Sequence, residues 1–316
     1  MTTLNEFGIV HNDNTTVVSA SPRNRYAIFG YGWIGSALNM TNLVNYLGGV
    51  SIDTTGVGTS RGFLAAAGYG GDKAIFGYGY STTYVSMTNK VSNLGVVATD
   101  TTGVGTARYS LAAAGYGGDK AIFGYGYSST AVVSLTNLVS NLGVVATDTT
   151  GVGTSRSNLA AAGYGDDKAI FGYGYIGSDV SLTNLVSNSG VVATDTAGVG
   201  TARRYLAAAG YGGDKAIFGY GSTSTYTEEL GFIITYVGIT NLVSNLGVVA
   251  TDTTGVGTGR NYLAAAGYGG DKAIFGYGFT GSYVSMTNKV SNLGVVATDT
   301  TGVGTARSLL AAASYG

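Results

Sequence analysis

Histidine and cysteine, the side chains most used for proton transfer and for holding transition metals near neutral pH, occur once and not at all in this 316-residue chain. His11 is the sole histidine, so the repeated residues of the chain contain no Ser-His-Asp set, and no His/Cys cluster exists for zinc or copper. Glu228 and Glu229 form one adjacent carboxylate pair, but they fall in a loop, and residues neighbouring in sequence rarely converge on one substrate atom. Aspartates stand near glycine and threonine throughout, yet never at the alternating Asp-x-Asp-x-Asp spacing of a calcium loop. Gly-Val-Gly-Thr segments have the glycines of a phosphate loop without its lysine or its helix. These absences point away from catalysis, and neither a cofactor nor a metal is expected.

The charges that do occur are mostly periodic. Arginines recur at Arg61, Arg108, Arg156, Arg203, Arg260 and Arg307, and aspartates at Asp53, Asp100, Asp148, Asp195, Asp252 and Asp299. Five Asp-Lys pairs, such as Asp72-Lys73, recur between them. An active site needs unlike groups converging once, whereas a residue repeated six times reads as scaffold. The arginine and aspartate sets are therefore expected to pair within or between repeats. Charges outside this frame include Lys90, Asp166, Asp179, Arg204, Glu228, Glu229 and Lys289.

The elements that carry these residues follow from the repeat itself. Ala-Ile-Phe-Gly-Tyr-Gly starts at Ala27, Ala74, Ala121, Ala169, Ala216 and Ala273, and Leu-Ala-Ala-Ala starts at Leu64, Leu111, Leu159, Leu206, Leu263 and Leu310. A period in the forties with glycine every few residues and β-branched runs such as Gly-Val-Val-Ala-Thr-Asp opposes helices and fits a four-stranded propeller blade. In the second full unit the strands are expected at Leu111 to Tyr116, Lys120 to Gly126, Ser134 to Ser140 and Val144 to Asp148. Three alanines suit an innermost strand crowded at an axis, and the glycines of the second strand permit close approach of a neighbour. The fold expected is all-β: a six-bladed β-propeller of four-stranded antiparallel blades over residues 25–316, with residues 1–24 an N-terminal extension or partial blade.

The order Gly-Thr-Ala-Arg, Leu-Ala-Ala-Ala, then Gly-Asp-Lys-Ala-Ile-Phe-Gly-Tyr-Gly resembles a Kelch-type repeat, which has an arginine before strand one and paired glycines ending strand two. Gly77-Tyr78-Gly79 stands where that family has its glycine pair; the family's later tryptophan is missing, since the only Trp is Trp33, elsewhere in the repeat. The resemblance covers about residues 25 to 316 and implies the propeller fold. The histidine ligands of copper oxidases built on such blades have no counterpart here. Near-identical arrays rich in Gly, Ala, Thr and Tyr also resemble virion proteins of tailed bacteriophages, which implies a place in a tail, a fibre or a capsid surface.

Closure has two candidates. The C-terminal copy, Leu310 to Tyr315, matches the inner-strand consensus and would complete the first blade, which opens at its second strand. Alternatively, Val17 to Ser21 supplies that strand, with Phe7 to Asp13 imitating a fourth strand; the better match favours the C-terminal copy, leaving the N-terminal residues packed outside.

The copies differ in two places: the loop after strand two and the two residues after the arginine. In an up-and-down blade both lie on one rim, while Gly-Gly-Asp-Lys and Ser-Asn-Leu-Gly turns form the other. The variable rim is rich in aromatics, and its candidate binding residues are Trp33, Phe63, Tyr80, Tyr84, Tyr109, Tyr205, Tyr226, Glu228, Glu229, Phe232, Tyr262, Phe279 and Tyr283. Tyr and Trp are the usual anchors of an interface. The fifth copy inserts about ten residues here, with Phe232, Ile233 and Ile234 giving an apolar tip.

Composition narrows the partners. Charged residues make up 10% of the chain, hydrophobic ones 45%, and the net charge is −1; mean hydropathy is +0.23. No basic stripe exists for nucleic acid, and no apolar run approaches a membrane span, so neither partner is expected. The N-terminal residues lack the pattern of a signal peptide. The leading expectation is a virion structural or host-attachment protein that binds other virion proteins, copies of itself, or a host-surface glycan or protein. A lectin-like, extracellular glycan-binding propeller is the alternative, and an enzyme is third.

Overall fold

The computed structural model describes residues 3–5, 8–10, 16–17, 25–229 and 231–316. The described residues contain no helix. From residue 25 onward they form six equivalent antiparallel sheets of three strands, with the middle strand of each chain segment at the sheet's centre. The inner strands are Ala65–Tyr69, Ala112–Tyr116, Ala160–Tyr164, Ala207–Tyr211, Ala264–Tyr268 and Ala311–Tyr315. In the second unit the middle strand is Lys73–Tyr80 and the outer one Tyr84–Val91. The first unit has its middle strand at Tyr26–Trp33 and its outer strand at Ala37–Val44, and its inner strand is the C-terminal Ala311–Tyr315. The chain's last strand thus completes its first full sheet. Of the N-terminal alternative, Val18 to Ser21 and most of 7–13 lie outside the described residues; Thr3–Asn5, Gly8–Val10 and Thr16–Val17 pair as a separate small sheet.

The expected fourth strand is not one. The segment from Val144 to Asp148, with Thr149 after it, meets the outer strand at two isolated bridges, Val139 with Val145 and Thr136 with Thr149. Three steps along the outer strand face four along this segment, so an extra residue bulges out and the ladder cannot continue. Asn137 fills the gap: its Nδ2 donates to the Ala146 carbonyl at 3.0 Å and to Asp148 Oδ1 at 2.9 Å. The other five units repeat this arrangement.

The core lies between sheets. The Ile, Tyr and alternate Ala residues of one unit pack on the Leu, Phe, Val and Ala residues of the next, as Ile75, Tyr78 and Ala67 do on Leu111, Phe123 and Val139. One glycine per middle strand is the seat for that phenylalanine. A Cβ on Gly172 would stand 2.7 Å from the Phe218 ring, closer than packed atoms approach, so this position excludes even alanine without a shift. The tyrosine that follows adopts a left-handed φ, 64° at Tyr173, at a bulge in the middle-outer ladder, and lies edge-on to the same Phe218 at 5.2 Å. The last such contact joins Tyr277 of the sixth unit to Phe29 of the first.

Each inner strand touches the next, in the order 65–69, 112–116, 160–164, 207–211, 264–268, 311–315 and back to 65–69. Two sets of backbone hydrogen bonds follow the same order and return to their start. Phe63, Ser110, Asn158, Tyr205, Tyr262 and Leu309 each donate an N–H to the carbonyl of the equivalent residue one unit back, at 2.9–3.0 Å, with Phe63 donating to Leu309. At the other end of the strands, Gly70 donates to Asp119, and the set closes with Gly316 donating to Asp72.

The repeated charges serve this packing. Arg61 is wholly buried, with its guanidinium 4.3 Å from the Tyr31 ring centroid of the preceding unit. Its Nε donates to the Tyr78 carbonyl at 2.9 Å, Nη1 to the Thr59 carbonyl at 3.1 Å and Nη2 to Asn89 Oδ1 at 2.6 Å. The arginine–aspartate pairing expected from the sequence is present in all six units, at 3.7–4.0 Å, but the asparagine is the closer partner. The aspartate instead accepts from the crossing segment: Asp100 Oδ2 takes the Thr59 hydroxyl at 2.7 Å and its N–H at 2.9 Å.

Burial opposes ionisation of Asp100, but hydrogen bonds from Thr59 and Asn89, with the Arg61 charge, hold its carboxyl below the ordinary aspartate value of 3.8. The other five aspartates are shifted the same way. A depressed carboxyl contributes stability that is present above the unfolded pKa and is lost as pH falls through the folded one. Thermal melts are therefore expected to be insensitive to these six groups between pH 7 and about 5, and to fall steeply below about pH 4 as they protonate together. A melting temperature unchanged down to pH 2 would count against this role.

Candidate binding face

Both variable segments lie at one end of the sheets. In every unit the residue after the arginine bridges a residue at the end of the middle strand or, in the third and fifth units, three positions beyond it: Gly62 with Tyr80, Tyr109 with Tyr127, Ser157 with Tyr175, Arg204 with Ser222, Asn261 with Phe279, and Ser308 with Trp33. The opposite end carries the constant turns. There the turn after each outer strand rests on the tyrosine closing the preceding inner strand, as Gly143 does on Tyr69.

At the variable end one backbone geometry is held while the side chain changes. Phe63, Ser110, Asn158, Tyr205, Tyr262 and Leu309 all have φ between 54° and 58°, a region that residues with a Cβ seldom enter. The strain is tolerated because this turn of the backbone aims each N–H at the carbonyl one unit back, closing the hydrogen-bond circuit described above. These six side chains and the leucines that follow them line a small concavity of about 70 Å³.

The structure gathers the candidate aromatics into three groups. Tyr84 stacks on Tyr109 at 5.2 Å and 11°, with Tyr80 5.8 Å from Tyr84 and Phe63 5.3 Å from Tyr109. Phe63 also faces Tyr262 at 6.4 Å, and Tyr262 lies 4.1 Å from Tyr205. Burial, reinforced by Tyr205, pushes the Tyr262 phenol far above its ordinary value, so it stays a neutral donor. Phe279 and Tyr283 meet at 5.4 Å. Trp33 joins none of these ring pairs among the described residues. The fifth-unit insertion is a β-hairpin, Ser222–Thr227 with Gly231–Tyr236, rather than a loop. Tyr226 and Phe232 pair across it edge-on at 5.2 Å and are 63% and 77% exposed. Glu228 and Glu229 occupy its turn, exposed to solvent.

Three features of this face were not foreseen. Tyr127 lies 5.7 Å from Tyr109, and Tyr236 lies 6.2 Å from Phe279, each enlarging a group. Arg204 and Asp179 form an ion pair at 3.4 Å that has no counterpart in the other units among the described residues, with Arg204 over the Tyr175 ring at 4.4 Å. Asp179 Oδ2 also accepts from the Ser224 N–H and hydroxyl, at 2.7 and 2.9 Å, fixing the base of the hairpin. The signal was available: both are charges that break the repeat, at matching variable positions. Asp179 Oδ1, Arg204 Nε and Asn261 Oδ1 have no hydrogen-bond partner among the described residues.

A larger cavity of about 550 Å³ opens at the constant end, lined by repeating Gly, Tyr and Lys residues such as Gly68, Tyr69 and Lys73. Its four lysines, Lys73, Lys120, Lys168 and Lys272, each hold the preceding aspartate, at 2.6–3.3 Å, so this part of the lining repeats one arrangement rather than assembling unlike groups. Among the described residues no three of His, Cys, Asp and Glu are grouped as a metal ion would require; His11 lies outside them. No known protein-family model matches the chain, and no curated protein matches it.

Proposed function

We propose that the six sheets are the blades of a closed, Kelch-like β-propeller, and that this propeller is a non-enzymatic virion component that attaches to its partner through the variable rim. Support for closure comes from the order of inner-strand contacts, the two returning hydrogen-bond circuits and the C-terminal strand in the first sheet. The virion placement is carried by the resemblance of such arrays to tailed-phage proteins, together with the low charge and near-identity of the copies. One observation carries the binding role: at six equivalent positions the backbone is fixed to within a few degrees while the side chains run Phe, Ser, Asn, Tyr, Tyr and Leu.

Electron microscopy of particles from the producing culture, decorated with an antibody against the Tyr226–Phe232 hairpin, tests this. Label on the tail, fibre or capsid surface is the expected result; particles that lack the chain would overturn it. A second reading, recognition of a glycan, is favoured by the Tyr80, Tyr84, Tyr109, Tyr127 and Phe63 group, whose rings offer stacking faces for a sugar. A glycan array would show hits weakened by Tyr84→Ala or Trp33→Ala; a blank array removes this reading and leaves the first intact.

A further inference from the structure

The constant end has a property that neither its core packing nor the proposed attachment role uses. In five of the six turns after the outer strand, the tip residue is a leucine that stands in solvent: Leu47, Leu94, Leu142, Leu246 and Leu293 are 65–78% exposed. Two positions beyond the tip, Val96 and its counterparts in the next four units are 60–65% exposed. The turn does not need the leucine. In the fourth unit Ser189 takes its place, and its N–H still donates to the first serine of the turn, Ser187 Oγ, at 3.3 Å, as Leu94 N does to Ser92 Oγ at the same distance. An exposed leucine kept in five copies, where serine serves the turn equally, is explained by something that covers it.

We propose that this end is a self-association surface, and that two copies of the chain meet there through their leucine tips. The ten exposed side chains offer on the order of 1,000 Å² of mostly apolar surface, against the roughly 800 Å² per partner of a standard stable interface. A second copy carries the same tips at the same spacing by construction, and a two-fold interface sets one patch against itself. Charge permits the approach: five lysines on this end each hold their own aspartate, as Lys73 holds Asp72 at 2.7 Å, and Lys90 and Lys289 donate to the carbonyls of the tip residues Leu142 and Leu47 at 3.1 and 3.0 Å. Such a pair points both variable ends outward, and it holds whatever those ends bind.

Native mass spectrometry and sedimentation of the full chain test the proposal. The wild type is expected at twice the 31.9 kDa of one chain. The fivefold variant Leu47→Ser, Leu94→Ser, Leu142→Ser, Leu246→Ser and Leu293→Ser is expected as a monomer, its dissociation constant raised more than about 100-fold, with its melting temperature within a few degrees of wild type in the monomeric state. Should that variant not fold, the double variant Leu142→Asp with Leu246→Asp is read the same way. Phe232→Ser with Ile234→Ser, at the opposite end, is expected to leave the dimer unchanged. A wild type that is monomeric at about 50 μM, a dimer that survives the leucine substitutions, or a dimer lost on changing the hairpin would each overturn it.

Discussion

A chain ending at Leu309 is expected to lose cooperative folding. The seven residues removed contribute every ladder hydrogen bond between Ala311–Tyr315 and the Tyr26–Gly30 segment of the first middle strand. They also remove Leu310 from the packing against the sixth unit, and Ala311, Ala313 and Tyr315 from the packing against the second. Tyr315 stacks on Tyr26 at 5.7 Å, Gly316 donates to the Asp72 carbonyl at 2.8 Å, and its own carbonyl accepts from Arg25. Ladder bonds at about 0.5–1.5 kcal/mol each and large buried side chains at about 1.5–3 kcal/mol each sum to on the order of 10 kcal/mol. A domain's whole stability is about 5–15 kcal/mol. Circular dichroism of the truncated chain should show a broad, early melt, and a synthetic peptide of residues 308–316 in excess should restore much of the transition. A truncated chain that melts as the full one does would mean the first sheet is held without its inner strand.

Arg108→Ala is expected to cost about 3–5 kcal/mol, the range for breaking a buried charged network. The guanidinium donates to three acceptors: the Tyr125 and Thr106 carbonyls and Asn137 Oδ1, at 2.9, 3.1 and 2.6 Å. It also covers the Tyr78 ring of the preceding unit at 4.4 Å. Burial draws the arginine's pKa down, and the nearby Tyr78 and Asp148 oppose that shift. Lysine offers one point charge in place of a planar fork, so Arg108→Lys is expected to recover less than half of the loss. Urea unfolding would read both. Lys120→Ala, which removes a half-exposed partner of Asp119, should change stability by less than about 0.5 kcal/mol and serves as the control. An arginine variant as stable as that control would remove the network from the account of the fold.

Much of the fold is legible in the sequence because each unit repeats the same physical solution. Three alanines in a row specify a strand that must be thin, and the inner strands do touch one another in order. The first glycine of Gly-Tyr-Gly signals a close approach, and the neighbour's phenylalanine fills that space. The fourth strand misleads because its β-branched run looks like a strand, while the asparagine that interrupts its ladder sits on another segment and declares itself only in three dimensions. The binding face is legible as a location, since variation among six copies marks it. Its groupings are not, because Tyr109 reaches Tyr84 and Tyr127 from different units, and Arg204 reaches Asp179 across a unit boundary. The hairpin is hidden for a further reason: one insertion has no other copy to be compared with.

The claim on which the single variable rim depends is that the two ends of the array are joined. The chain has no cysteine of its own, so a pair placed by Tyr26→Cys and Tyr315→Cys reports on that seam alone. These residues are direct cross-strand partners between the first and last strands of the six sheets, a separation that a disulfide can span. Under mild oxidation of the folded protein, the expected result is a disulfide between positions 26 and 315, seen by peptide mass mapping and by faster migration on a non-reducing gel. Two free thiols, both alkylated without denaturant, would mean that the array stands open.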